Sequence, residues 1–490
     1  MATTAPSTLK QLANLISHSV DQIDAACAAR GTPFPSLDAP FAPETEAARN
    51  HPDVLQAVGV LVAAATQLVA TAKAPQANLM TMATQCTLTA CLGVANDSNV
   101  AEILREAGPE GAHVKDIVKR NGLDADRLGR VLRLLATNHI FKELAPDVFA
   151  NNLLSSILDT GKPVDVILKD PEAKHDNTHG FSALIGHITD ESFKTEAFLS
   201  ETLRDRTFGH SDEPNQCALN LAFRTDLSAF AFAELPENRA RLRRLGAAMH
   251  GSSQYQPPDS MLQGFDFAAL KEDALVVDVA GGIGSVSMIL ANAFPKMRFV
   301  VEDRPGTVAE GEKFWKAKLP DALSSGRVQL IPHDMFTPQP TPAHAPAVFL
   351  LRQILHDWSD AYALRLLRHL RAAAARDTVL LVVDHALSHA CAAPAGARAL
   401  PGAEGARVPP PLLPNMGGAA VLSYSLDILM LALQNGQERT VPHFARLLAR
   451  AGWELREMKR TDPLGVVHPH LVAVPGALPE DGAEAEVPPK

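Results

Sequence analysis

One histidine and a row of carboxylates stand where this chain could do chemistry. His356 sits in RQILHDWSD, after an apolar run and before a helix start at Ser359 or Asp360. An imidazole with an unperturbed pKa near ~6.5 can take a proton from an activated hydroxyl at neutral pH. Such a base needs an orienting acid, and Asp384 and Glu438 are the candidate carboxylates. Upstream, LVVDVAGGIG carries Asp278, Ala280, Gly281, Gly282 and Gly284, a glycine turn that lets backbone amides approach a ligand. Asp303 follows about twenty residues after the turn, a spacing that suits a carboxylate accepting both hydroxyls of an adenosine ribose. NAD would fit that acid equally. The turn argues against NAD, because GGIG runs into SVS and lacks the full G-x-G-x-x-G, and GxxxxGK[ST] is absent there as well. No residue cluster with metal-ligand spacing is apparent.

These residues need a scaffold that brings strand ends together. Strand-like runs occur at 275–279, 298–303, 327–334, 347–355 and 378–384, with helical patterns at 284–293, 307–318 and 359–375. The alternation predicts a doubly wound, largely parallel sheet covered on both faces, with ligands beyond the carboxyl ends of its strands. Asp278, Glu302-Asp303, Asp334-Met335, Arg352 with His356-Asp357, and Asp384-His385 stand at those ends. ELREMKRTD and VVHPHLVAVPG supply a closing hairpin.

The first 250 residues read differently. An amphipathic helix and a Pro-rich connector fill 1–50, and helical patterns follow from Val54 to Leu92. Residues 100–156 have the shape of a winged helix: a short helix, a Gly122 turn, a second helix begun by Asp124 or Asp126, then a small hairpin. DNA recognition through Arg127, Arg130 and Arg133 is one use of such a unit, and dimer packing is the other. Residues 157–250 are helical and Phe-rich, suited to an apolar aromatic-binding pocket or to ordinary core. A loop with Gly251, Pro257 and Pro258 divides this region (1–250) from the α/β domain (251–475). The segment 388–418 and the tail 476–490 have little periodicity and are expected to be unstructured.

Composition bounds the partners. A formal net charge of -10 disfavours nucleic acid and anionic membrane. Five scattered cysteines without a CxxC pair suit a reducing cytosol. The N-terminus has no secretory pattern, and 54–71, the longest apolar stretch, is expected to be a buried helix rather than a membrane span.

With these motifs in hand, the chain resembles the plant-type caffeic acid family of S-adenosylmethionine-dependent O-methyltransferases and their fungal relatives. VVDVAGGIG, VVEDRP, HDMF, RQILHDWSD and SLDILMLALQNGQERTVPHFARLLARAGW carry the resemblance in family order over about 100–475. It implies a Rossmann-like methyltransferase domain behind an N-terminal, all-α winged-helix dimerisation domain, with a homodimer helping to close the substrate pocket. It further implies that Asp303, with Arg304 beside it, holds the ribose, that Asp334 and Met335 frame the adenine, and that Arg352 replaces a family lysine. His356 would be the base and Glu438 one of two orienting acids. Leu219, Phe223, Asp226 and Met430 would face a small aromatic hydroxyl substrate, leaving S-adenosylhomocysteine as the other product.

Two departures stand out. Asp384 falls where the plant enzymes usually have glutamate, one methylene longer. Ala280 replaces the first glycine of the motif, and alanine fits there only with negative φ. Neither removes the base, so an active enzyme is expected. The rivals are an NAD(P) oxidoreductase, which leaves HDW and Asp334-Met335 without work, and a silent cofactor-binding homologue, which Ala280 and Asp384 favour.

Overall fold

Apolar side chains on both faces of consecutive short strands build a seven-stranded sheet. In the computed structural model, which describes residues 6–253, 259–340, 345–392, 400–403, 408–461 and 467–477, five strands run parallel. They are β1 (Leu275–Val279), β2 (Arg298–Asp303), β3 (Val328–Pro332), β4 (Val348–Arg352) and β5 (Val379–Val383). β6 (Trp453–Lys459) and β7 (His470–Pro475) form the expected closing hairpin, antiparallel to each other, with β7 antiparallel to β5. The order is β6-β7-β5-β4-β1-β2-β3. Val348 to Leu351 are all buried, as a strand covered by helices on both faces must be. Strand order turns back at β1, which pairs with both β2 and β4, so a crevice opens at the carboxyl ends of β1 and β4.

The winged helix is present. Helices Val100–Ala107, Val114–Asn121 and Ala125–Thr137 pack with a three-stranded sheet of Ala112–His113, Lys142–Ala145 and Val148–Ala150. Asp124 is the residue that starts the last helix, its side chain accepting from the Arg127 N–H at 3.0 Å. Arg133 pairs with Glu143 and Asp147 rather than offering its charge to a phosphate.

Three expectations need correction. The 408–418 part of the inserted segment is ordered against the N-terminal helices α1 (Thr8–Arg30) and α2 (Pro52–Ala72). Leu412 is buried with Leu12, Ala63 and Ala64, Gln67 Nε2 donates to the Pro411 carbonyl at 2.9 Å, and Gly418 packs against Thr66. Prolines hid this from periodicity, yet the alanine-faced helices let the apolar segment come close. α2 is long and apolar enough to cross a membrane, but it is not the buried helix expected: only one side is covered, and Val62 and Val69 are exposed. α3 (Pro75–Ala83) adds exposed Leu79, Met80 and Met82. Gly251 lies inside the helix Arg239–Ser253 rather than in a loop. Pro257, Pro258 and the tail beyond Ala477 lie outside the described residues.

Candidate active site

The glycine turn is shaped from beneath. Asp278 is buried at the end of β1 and accepts from Ser287 Oγ–H at 2.6 Å. A Cβ on Gly281 would sit 2.5 Å from the Asp278 carboxyl carbon, so only glycine allows this approach. Burial pushes the Asp278 carboxyl up to about 6. Asp278 therefore faces inward and supports the turn instead of presenting itself to a ligand. Gly284 (φ 78) packs on Trp315, whose Nε1–H donates to the Ile283 carbonyl at 3.0 Å. Gly282 (φ 62) has open space where a side chain would be. Its N–H donates to Asp303 Oδ2 at 2.8 Å, joining the turn to the end of β2.

Ala280 corrects one expectation directly. Its φ is +54, the left-handed region, so alanine is accommodated with strain rather than by a negative φ. Gln353, just past β4 on the other side of the crevice, is also left-handed at φ 53. Strained residues on both walls of a strand-order switch point to a functional crevice.

The remaining cofactor-side candidates divide. Asp334 follows β3 and caps its own turn, Oδ1 accepting from the Phe336 N–H at 3.0 Å, while Met335 is half-buried against the core. Arg352 ends β4; burial draws its guanidinium down from the ordinary value, with Asp278 and Asp384 opposing. Arg304 points elsewhere, pairing with Glu234 and lying 5.1 Å over the Phe230 ring.

His356 and Glu438 meet. The imidazole lies in a short turn (Leu355–Asp357) after β4, and its Nδ1–H donates to Glu438 Oε1 at 2.8 Å. The His356 side chain is 15% exposed and that of Glu438 0%. His356 Nε2 stands 3.6 Å from Asp357 Oδ1, too far for a hydrogen bond. Burial opposes a charge on this ring, but Glu438, Asp357 and Asp384 outweigh it and push the imidazole up to about 10.

Asp384 does not bond the histidine. It is fully buried past the end of β5, and among the described residues neither oxygen has a hydrogen-bond partner. Burial pushes its carboxyl up to about 6. The missing methylene thus leaves it acting on His356 through charge alone. What brings Glu438 close is a short parallel pairing of Ala386–Leu387 with Arg439–Thr440.

Sequence reasoning missed several neighbours. Gln434 Nε2 donates to Asp357 Oδ1 at 2.7 Å, and His468 faces His385, already placed at the end of β5, at 2.9 Å between their Nε2 atoms. Arg439 is fully buried. The position of Arg439 next to Glu438 was the one available signal.

Of the substrate-side candidates, Leu219, Phe223 and Met430 gather in one apolar cluster with Leu429 and Leu433. Phe223 stacks at a tilt on Phe232, ring centres 5.0 Å apart. Asp226 does not join them: it is exposed, and its carbonyl accepts from Asn215 Nδ2.

Fold and crevice together define a Rossmann-like α/β domain with a His–Glu pair at the mouth of its sheet. Residues 212–404 match the O-methyltransferase domain family model. The chain is 52% identical to an O-methyltransferase of Armillaria gallica, over 96% of this chain and 100% of that protein. It is 44% identical to 4-O-methyltransferase 1 of Phanerochaete chrysosporium, over 96% and 100%. The solved mitomycin 7-O-methyltransferase MmcR shares the fold, with TM-score 0.60 and 23% identity over 82% of this chain and 98% of that one. The chain belongs to the S-adenosylmethionine-dependent O-methyltransferase family, and the nicotinamide reading is set aside.

Proposed function

We propose that this enzyme methylates a hydroxyl of a small aromatic compound, phenolic or polyketide-like, with His356 as general base. The observation that carries the reading is the 2.8 Å bond from His356 Nδ1 to buried Glu438, which leaves Nε2 for the acceptor hydroxyl. A phenol with pKa near ~10 is a poor nucleophile at neutral pH until a base takes its proton. His356 Nε2 accepts that proton in the neutral form of the ring, and Glu438 and Asp384 stabilise the imidazolium that results. The freed phenolate oxygen would then be the nucleophile for a methyl carbon whose bond to the donor sulfur breaks as the new C–O bond forms. Leu219, Phe223 and Met430 supply an apolar wall for the ring.

The glycine turn fits the cofactor, since the space beside Gly282 is open and Asp303 is fixed next to it. Gly281, Gly282, Gly284, Asp303, Asp334, Met335 and Arg352 would hold it. When bound, S-adenosylmethionine supplies a sulfonium methyl and leaves as S-adenosylhomocysteine. Exposed Leu79, Met80 and Met82 on α3 support a homodimer through the N-terminal region.

Calorimetric titration with S-adenosylmethionine, followed by mass spectrometry of phenols for a gain of one methyl, tests the reading. Methylation that survives unchanged in His356→Ala would overturn the base assignment. The strained Ala280 and the unbonded Asp384 favour a second reading, a cofactor-binding protein without catalysis. Cofactor binding with no methyl gain across a broad phenol panel would decide for it.

A further inference from the structure

Arg439 is 0% exposed, an unusual place for a guanidinium, which is costly to bury unless its donors are met. Its partners lie on either side of His356. Nη1–H donates to the Leu355 carbonyl at 2.6 Å and Nη2–H to the Trp358 carbonyl at 2.7 Å. Nε–H donates at 3.0 Å to Asp360 Oδ1, at the start of the next helix. The same segment grips the histidine between those points. The Gln437 N–H donates to the His356 carbonyl at 2.8 Å, and a Cβ on Gly436 would overlap that carbonyl. Glu438, the residue before Arg439, then reaches the imidazole itself.

We propose that Arg439 is a positioning residue for methyl transfer: it clamps the main chain on both sides of His356 so that the imidazole meets Glu438. The proposal rests on His356 being the base. A planar fork reaches two carbonyls and a carboxylate from three separate nitrogens, whereas a lysine has all its donors on one. A base displaced by about 1 Å loses on the order of 10²-fold in rate, while cofactor contacts at the glycine turn stay intact.

The test uses the full chain as Arg439→Met, Arg439→Lys, His356→Ala and the double variant His356→Ala/Arg439→Met. It measures kcat and acceptor KM, together with the S-adenosylmethionine Kd by calorimetry. Arg439→Met should lower kcat by about 10²-fold with Kd within about threefold, and Arg439→Lys should recover about tenfold of that loss. In the His356→Ala background, Arg439→Met should cost less than about twofold, because both act through one group. Losses that multiply in the double variant overturn the proposal, as does a Kd that weakens in step with kcat. A His356→Ala enzyme that keeps the wild-type kcat instead overturns the base reading, and is visible separately. If Arg439→Met does not fold, Asp360→Asn carries the test. It weakens the Asp360 contact to Nε, together with those to Gln437 Nε2 and His443 Nε2, and should give a smaller loss confined to kcat; an unchanged kcat there counts against the clamp.

Discussion

Glu438 holds the His356 imidazole in its charged form, and a charged imidazole cannot take a proton. With Glu438, Asp357 and Asp384 around it, the ring is pushed up to about 10, so its proton-accepting form grows in on the alkaline side. The kcat/KM profile should therefore climb through pH 7 to 9 rather than level off near ~6.5. His356→Ala should remove that limb and lower kcat by about 10²–10⁴-fold, as initial rates across pH will show. The same pairing stabilises the fold, fully below the unfolded value of 6.5 and less as pH rises toward about 10. Ala280 is a second residue whose conformation sets its behaviour. With φ at +54, replacement by glycine relieves about 1 kcal/mol of strain, and a thermal melt should show a rise of a few degrees with cofactor Kd unchanged.

Among elements, the segment 408–418 links regions that the chain keeps far apart. It docks on α1 and α2 through Leu412, then leads into the helix Val421–Gln434. That helix bears Met430 in the apolar cluster and Asp427, whose Oδ1 accepts from the Glu438 N–H at 2.8 Å. Leu412→Ala removes a buried side chain and should cost about 2–4 kcal/mol locally. Limited proteolysis should then cut within α1 and α2 well before the sheet domain, and simultaneous cutting of both would count against separate docking of this pair.

At the scale of the molecule, the uncovered apolar face is the feature a single chain leaves unresolved. Leu79 is 68% exposed, Met80 65% and Met82 60%, side by side on α3. If the proposed homodimer uses this face, Leu79→Glu with Met80→Glu should shift sedimentation from dimer toward monomer. A wild-type chain that sediments as a monomer at micromolar concentration would remove the dimer from the account.

Local pattern determined much of this. The strand–turn–helix at 275–293, the alternating elements after it, the winged helix and the placing of His356 after β4 all follow from periodicity and turn chemistry. These depend on neighbours a few residues away. Tertiary structure alone decided the rest, because it turns on distances between residues far apart in the chain. Glu438 bonds His356 while Asp384 does not, Asp278 turns inward, and Arg304 turns away to Glu234. Arg439 shows the difference most plainly. As a letter it was a charged residue beside a candidate acid. Its burial, and the two carbonyls it holds on either side of the histidine, exist only once a segment 82 residues away has folded back onto that turn.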